Sequence, residues 1–366
     1  MKTYIMKPPL YISLLVLFFT LGCSSEDNNE IQEPITETLY FPPLNSDTWE
    51  TLSIQELNWN NTALQPLLDY VENKGTKAFL ILKNGKIVIE WYGNGEDKDS
   101  NLAWNSAAKT LVAFTAGIAQ KEGYLNINDA SKDYLGNRWS NLTTNQEENI
   151  SIWNHLTMTT GLDYTVPDNN CTDPDCFIFK NEPGNFWFYH NGAYTMLHDI
   201  ITGAVNTDFN IYFNEKVKNK IGMQGAWIPF GYYKLYYSNA RSMARFGLLN
   251  LNKGIWNGTD ILNDASYFES MINSSQDLNK AYGYLWWLNG KDSFRGPGLT
   301  LEFQGKLIPN APDDMVAGLG KNDQKMYVVP SQNLVIIRMG DDAGEALLGP
   351  SSFDNDLWGE INKLID

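Results

Sequence analysis

Ser106 and Lys109 are the pair in this sequence whose types and spacing could do chemistry on a carbonyl. They stand in Asn105-Ser106-Ala107-Ala108-Lys109, at the head of an Ala-rich apolar run that Gly123 stops, so the pattern predicts a helix over 107–122. Three residues make nearly one helical turn, which turns hydroxyl and amine to the same side. A serine hydroxyl is a poor nucleophile near neutral pH and needs a neighbouring base. A lysine serves as one if burial or nearby cations lower its pKa. The start of a helix also offers free backbone N–H groups, one of which can stabilise a developing oxyanion. Alone the pattern is weak, since S-x-x-K arises by chance roughly once in a chain this long. A capping serine followed by an exposed lysine is the plain alternative. It is nevertheless the chain's one S-x-x-K, and it falls where a hairpin pattern gives way to a helical one.

The residues around it add specificity. The stretch WNSAAKTLVAFTAGIAQKEGYLNINDASKDYL (Trp104 to Leu135), followed by IWNHLTMTTGL (Ile152 to Leu162), closely resembles the serine β-lactamase-like family. That family includes class C β-lactamases, D-alanyl-D-alanine carboxypeptidases, esterases and 6-aminohexanoate-oligomer hydrolases. Gly123, Leu125, Asp129, Tyr134, Leu135, His155, Leu156, Thr157, Met158, Thr159, Gly161 and Leu162 carry the match, which makes His155 structural. The family's second element, Y-x-N, is matched by Tyr189-His190-Asn191. The resemblance implies that Tyr189 passes protons among Ser106, Lys109 and the leaving group, and that Asn191 holds Lys109 and the substrate. An adjacent ammonium would favour the phenolate of a tyrosine whose ordinary pKa is about 10. His190 is expected to line the cleft or to face away from it.

The third element departs from the family. Many members carry K-T-G or H-x-G on the strand bordering the site; the equivalent here is Gly318-Leu319-Gly320, and no K-T-G exists in the chain. The family's cation on that strand grips a substrate carboxylate, so its absence argues against penicillins and D-alanyl peptides unless Arg295 or another cation substitutes. Gly318 and Gly320 still permit close backbone approach, and the N–H of Lys321 is expected to be the second oxyanion donor. The resemblance thus implies a serine hydrolase that works through an acyl-enzyme on an ester or amide, without metal or organic cofactor. The alternative is a catalytically reduced, penicillin-binding-type sensor or binding protein on the same scaffold. A Ser-His-Asp hydrolase is disfavoured because no G-x-S-x-G occurs, and a metallohydrolase because no H-E-x-x-H does.

The elements that must position these groups are partly legible. KAFLILKNGKIVIEWYG (77–93) reads as two strands about an Asn84-Gly85 turn, and 326–339 as a second hairpin turning at 330–333. Helical spacing recurs at 194–205, 209–220, 238–251 and 353–365. Strands at both ends with a helical middle imply an α+β sandwich of the β-lactamase/transpeptidase-like kind. Its antiparallel sheet would be formed by N- and C-terminal strands flanked by helices, with a mainly helical insertion over about 125–270. One folded unit is expected over 46–366, with the site between sheet and insertion.

The N-terminus reads as a targeting segment. Lys2 and Lys7 precede the apolar run YISLLVLFFTL, too short to span a bilayer comfortably, and Gly22-Cys23 follows. This resembles the lipobox of bacterial lipoproteins, although Thr20 stands where that pattern prefers Leu. Residues 1–22 are then a signal peptide, Cys23 the lipidated residue and 23–45 an acidic tether. The protein would be exported and lipid-anchored to the outer membrane, on its periplasmic or cell-surface side. The remaining cysteines, Cys171 and Cys176 in C-T-D-P-D-C, read as a small disulfide loop of an export compartment. A net charge of −16 with no basic run disfavours nucleic acid as a partner. The 13% aromatic content suits a large core, and Trp153, Trp187, Phe188, Trp227, Trp286 and Trp287 are candidates either for that core or for an aromatic cleft.

Overall fold

The computed structural model describes residues 39–344 and 350–365; Cys23, its signal segment and most of the tether lie outside them. In chain order, the elements that build the site are α1 (Leu64–Asn73), β1 (Thr76–Lys83), β2 (Lys86–Tyr92), α2 (Lys109–Lys121), α3 (Ile152–Thr157), α4 (Asn191–Val205), β3 (Ala226–Phe230), β4 (Tyr233–Ser238), α5 (Ala240–Leu251), β5 (Trp287–Leu288), β6 (Val316–Gly320), β7 (Gln324–Val329), β8 (Leu334–Gly340) and α6 (Ser352–Ile365).

The main sheet runs β2-β1-β8-β7-β6-β5, every neighbour antiparallel. The first hairpin therefore meets the last, Phe79 opposite Arg338 and Ile81 opposite Ile336. Asn84 and Gly85 both have positive φ, 52° and 81°, as the expected turn requires. The central strands are apolar on both faces because both are covered. α5 covers one face: a Cβ on its Gly247 would meet Val335 at 2.5 Å and Met326 at 3.6 Å. α6 covers the other, where Trp358 lies edge-on to Tyr327 and Asp354 takes an ion pair from Lys325 at 2.8 Å.

One expectation changes. The folded unit reaches further toward the N-terminus than residue 46: Leu39, Tyr40 and Phe41 pack on the core, and Arg245 donates to the carbonyls of Pro42 and Pro43. The insertion is mainly helical, as expected, with two short hairpins in it: Ile255–Trp256 with Thr259–Asp260, and β3–β4, which pairs through β4 with the short strand Leu102–Ala103 that directly precedes the Ser106 turn.

Candidate active site

Ser106 sits in a 3₁₀ turn, Asn105–Ala108, that leads into α2. A 3₁₀ turn places i and i+3 almost in register. Lys109 Nζ accordingly lies 3.3 Å from Ser106 Oγ and 3.1 Å from Asn191 Oδ1 at the head of α4. The ammonium faces the Tyr194 ring at 3.9 Å and the Tyr189 ring at 5.1 Å. Lys109 is 5% exposed, and no carboxylate is paired with it among the described residues. Burial lowers its pKa to about 7, so near neutral pH a large share of the amine is unprotonated.

Tyr189 stands beside this pair, its ring 5.1 Å from Lys109 Nζ, with the Ser106 side chain as a polar neighbour. Its ring stacks on Trp287 at 6.0 Å, and Tyr282 approaches edge-on. The phenolate expectation is corrected here. Burial drives the Tyr189 phenol above the ordinary tyrosine range, against the pull of the polar Ser106 side chain. With Lys109 lowered and Tyr189 raised, the amine is the group of the two that can be unprotonated near neutral pH, while the phenol keeps its proton.

The end of β6 closes the other side. A Cβ on Gly320 would meet the Trp104 carbonyl at 2.5 Å and the Ser106 nitrogen at 3.1 Å, so this strand lies against the Ser106 peptide only because it has no side chain there. Lys321 follows and lines the same cleft as Ser106. Gly318 lies further in, facing Ala107 O and Thr110, and lines nothing open. One contributor escaped the sequence reading. Asn105 takes a positive φ of 48°, and its amide donates to the Lys321 carbonyl at 2.7 Å, tying the nucleophile's turn to the end of the strand. Asparagine tolerates that backbone better than other side chains, and an Asn just before Ser106 was the available signal.

The cleft holds about 320 Å³. Asn105, Asn169, Asn170 and Asn191 line it with amides, while Phe230, Tyr233 and Leu235 of the β3–β4 hairpin supply an apolar wall. Tyr232, at the hairpin's tip, donates to Asp173 of the Cys171–Cys176 loop. The tryptophans offered for an aromatic cleft are elsewhere: Trp187, Trp227, Trp286 and Trp287 are buried, and neither Trp153 nor Phe188 lines it. Arg295 does not reach it either, since its guanidinium binds the carbonyls of Leu278 and Thr300; the cations at the cleft are Lys109, Lys234 and Lys321.

The histidines stand apart from the nucleophile. His155 is fully buried, with Nδ1 on the Ala193 carbonyl and a pKa lowered by burial to about 4. His190 is buried and caps α4 at the Ala193 nitrogen. A larger recess of about 440 Å³, bounded by Arg241 and Arg245, has Ser46 and Ser242 on its lining but no lysine or histidine beside them to act as a base. Arg241 is paired there with Glu90, and Arg245 with backbone carbonyls.

Comparison with known proteins matches residues 70–346 to the family model described as Beta-lactamase. No curated protein matches. Among solved structures, one provisionally described as a 6-aminohexanoate-dimer hydrolase from Bacillus anthracis is 19% identical, with 88% of each chain covered and a TM-score of 0.66. One provisionally described as a β-lactamase from Bacteroides dorei is 15% identical over 84% of this chain and 99% of that one, TM-score 0.66. A penicillin-binding protein from Bacillus halodurans is 14% identical over 81% and 99%, TM-score 0.58. At these identities the likeness is one of fold.

Proposed function

The chain belongs to the β-lactamase family, and from that premise we propose that it is a serine hydrolase acting through an acyl-enzyme on an ester or amide. The observation that carries this reading is a buried lysine, without a counter-ion among the described residues, in hydrogen-bond reach of a serine hydroxyl and 5.1 Å from a tyrosine ring. Ser106 Oγ attacks the carbonyl carbon and its proton passes to unprotonated Lys109. The N–H groups of Ser106 and Lys321 receive the oxyanion, each worth roughly 3 kcal/mol in the transition state. As the tetrahedral adduct collapses, Tyr189 gives its proton to the leaving nitrogen or oxygen and regains one from Lys109. Water then attacks the ester of Ser106, and the same groups return the proton to Oγ.

The cleft supports a substrate with an apolar acyl part against Phe230, Tyr233 and Leu235. The test is labelling by a fluorophosphonate and by a fluorescent penicillin, beside a hydrolysis screen of p-nitrophenyl esters, nitrocefin, D-Ala-D-Ala peptides and aminohexanoate oligomers. Ser106→Ala should abolish labelling and turnover. A wild type that neither labels nor turns over any of them favours the binding-protein alternative. We extend the proposal to location: Cys23 carries a lipid that holds the enzyme at the outer membrane. Incorporation of a fatty-acid analogue into wild type but not Cys23→Ala is the expected result, and equal incorporation would end that assignment.

A further inference from the structure

The geometry points to Asn170, immediately before the Cys171–Cys176 loop, as a positioning residue that fixes which end of the Asn191 amide faces Lys109. The inference rests on the hydrolase reading above and deepens it. A carboxamide is nearly symmetric in shape, so packing alone does not choose between its oxygen and its nitrogen; hydrogen-bond partners must. The choice matters at Asn191. With Oδ1 toward Lys109 the amide accepts from the amine, as observed at 3.1 Å. Flipped, it would set N–H donors against that amine, repel its protonated form and compete for its lone pair.

A chain of contacts makes the choice. Asn191 Nδ2 donates to Asn170 Oδ1 at 2.9 Å. Asn170 is another amide and could present either end, but its Nδ2 donates to Asp168 Oδ1 at 2.6 Å, and its backbone N–H donates to the same oxygen at 2.9 Å. An ionised carboxylate only accepts. Asp168 therefore takes the nitrogen end of Asn170, Asn170 turns its oxygen to Asn191, and Asn191 turns its oxygen to Lys109. A surface carboxylate thus sets the polarity of a buried catalytic contact through two amides.

The loop is held where this requires. Gly192 donates its N–H to the Asn169 carbonyl at 2.8 Å. A Cβ on Gly192 would lie 2.5 Å from the Cys171 carbonyl, so α4 and the loop touch backbone to backbone. Around Lys109 the other titratable groups are Tyr189, Tyr194, His198 one turn further along α4, and the cleft lysines Lys234 and Lys321. Burial keeps both phenols protonated and the imidazole uncharged. The Asn191 amide is then the polar group beside Lys109 whose orientation can vary.

The test pairs a titration with kinetics. In protein carrying [ε-¹³C]lysine, the Lys109 resonance is followed against pH in wild type, Asn170→Ala, Asp168→Asn and the double variant Asp168→Asn/Asn170→Asp. In Asn170→Ala and Asp168→Asn the midpoint should fall by about half a unit or more, because the protonated amine loses its fixed acceptor. For whichever p-nitrophenyl ester is turned over, kcat should fall roughly tenfold to a hundredfold with KM little changed. The double variant exchanges donor and acceptor between 168 and 170 but still offers Asn191 an oxygen, so it should recover titration and kcat together. A Lys109 titration in Asn170→Ala that overlays the wild type overturns the inference, whether or not the protein is active. Equal turnover by wild type and Ser106→Ala would instead defeat the hydrolase reading and leave the titration to decide this one.

Discussion

At the scale of single residues the central fact is an amine kept out of water with no charge to meet it. Its ordinary pKa of about 10.5 falls to about 7, and each unit of such a shift is about 1.4 kcal/mol. In the unfolded chain the same group stays protonated to about pH 10.5, so between pH 7 and 10.5 the unfolded state binds the extra proton and stability rises with pH. Lys109→Met removes that dependence. Measured by urea denaturation against this variant, the wild type should gain about 2 kcal/mol of relative stability between pH 7 and pH 9. At pH 7 the variant should be the more stable protein and the inactive one. A difference that stays flat with pH would mean that Lys109 is charged in the fold. On the proposed mechanism the activity profile follows the same group, because a base must be unprotonated. The kcat/KM should fall roughly tenfold from pH 8 to pH 6 along a single limb near 7.

At the scale of elements, the site is a contact between a helix start and a strand end, and Gly320 is the point of contact. Gly320→Ala would drive a methyl toward the Trp104 carbonyl and the Ser106 nitrogen. The strand must then withdraw, carrying Lys321 away from where the oxyanion forms. The expected result is a loss of roughly a hundredfold in kcat with the disulfide and circular dichroism intact. Unchanged kcat would show that the end of β6 does no work in the reaction. How legible these elements were depends on how far apart their signals lie. S-x-x-K, the Asn84-Gly85 turn, the Cys171–Cys176 pair and the meeting of first and last strands were all readable, because each is a local pattern or a short composition rule. The β3–β4 hairpin was not. Its run AWIPFGYYKLYYS has a central Pro229 and aromatics on both faces, and it reads as strand only once the Leu102–Ala103 edge is there to receive it. With the hairpin unseen, Phe230 and Tyr233 were unseen as cleft walls, and the tryptophans of the core stood in for them. Asn105 and Asn170 escaped for a different reason. A residue that acts by orienting another leaves no motif of its own.

At the scale of the whole molecule, two lysines are buried among the described residues of a chain of net charge −16, and the fold treats them oppositely. Lys109 has no carboxylate partner. Lys325 lies on β7 with 0% exposure between Asp323 at 3.0 Å and Asp354 of α6 at 2.8 Å. Those carboxylates are themselves tied in: Asp354 accepts from the Tyr327 hydroxyl and the Ser351 nitrogen, and Asp323 from the Ala343 nitrogen and the Ser351 hydroxyl. The cluster pins the C-terminal helix to the middle of a sheet whose first strand was made some 250 residues earlier. Removing one partner of a buried ion pair leaves the other charge unmet, at a cost of about 3–5 kcal/mol. Lys325→Met should therefore destabilise the protein by about that much and lower its midpoint by roughly 10 °C. Lys109→Met, the same substitution at another buried lysine, should raise it at neutral pH. Scanning calorimetry of the two variants beside the wild type at pH 7 reads both signs at once. If both fall, burial is not what strains Lys109, and its lowered pKa has lost its cause. If both rise, the cluster under α6 does not hold the sheet together. Opposite signs are expected because a lysine that is to serve as the proposed base cannot also be paired, and a lysine that anchors a helix must be.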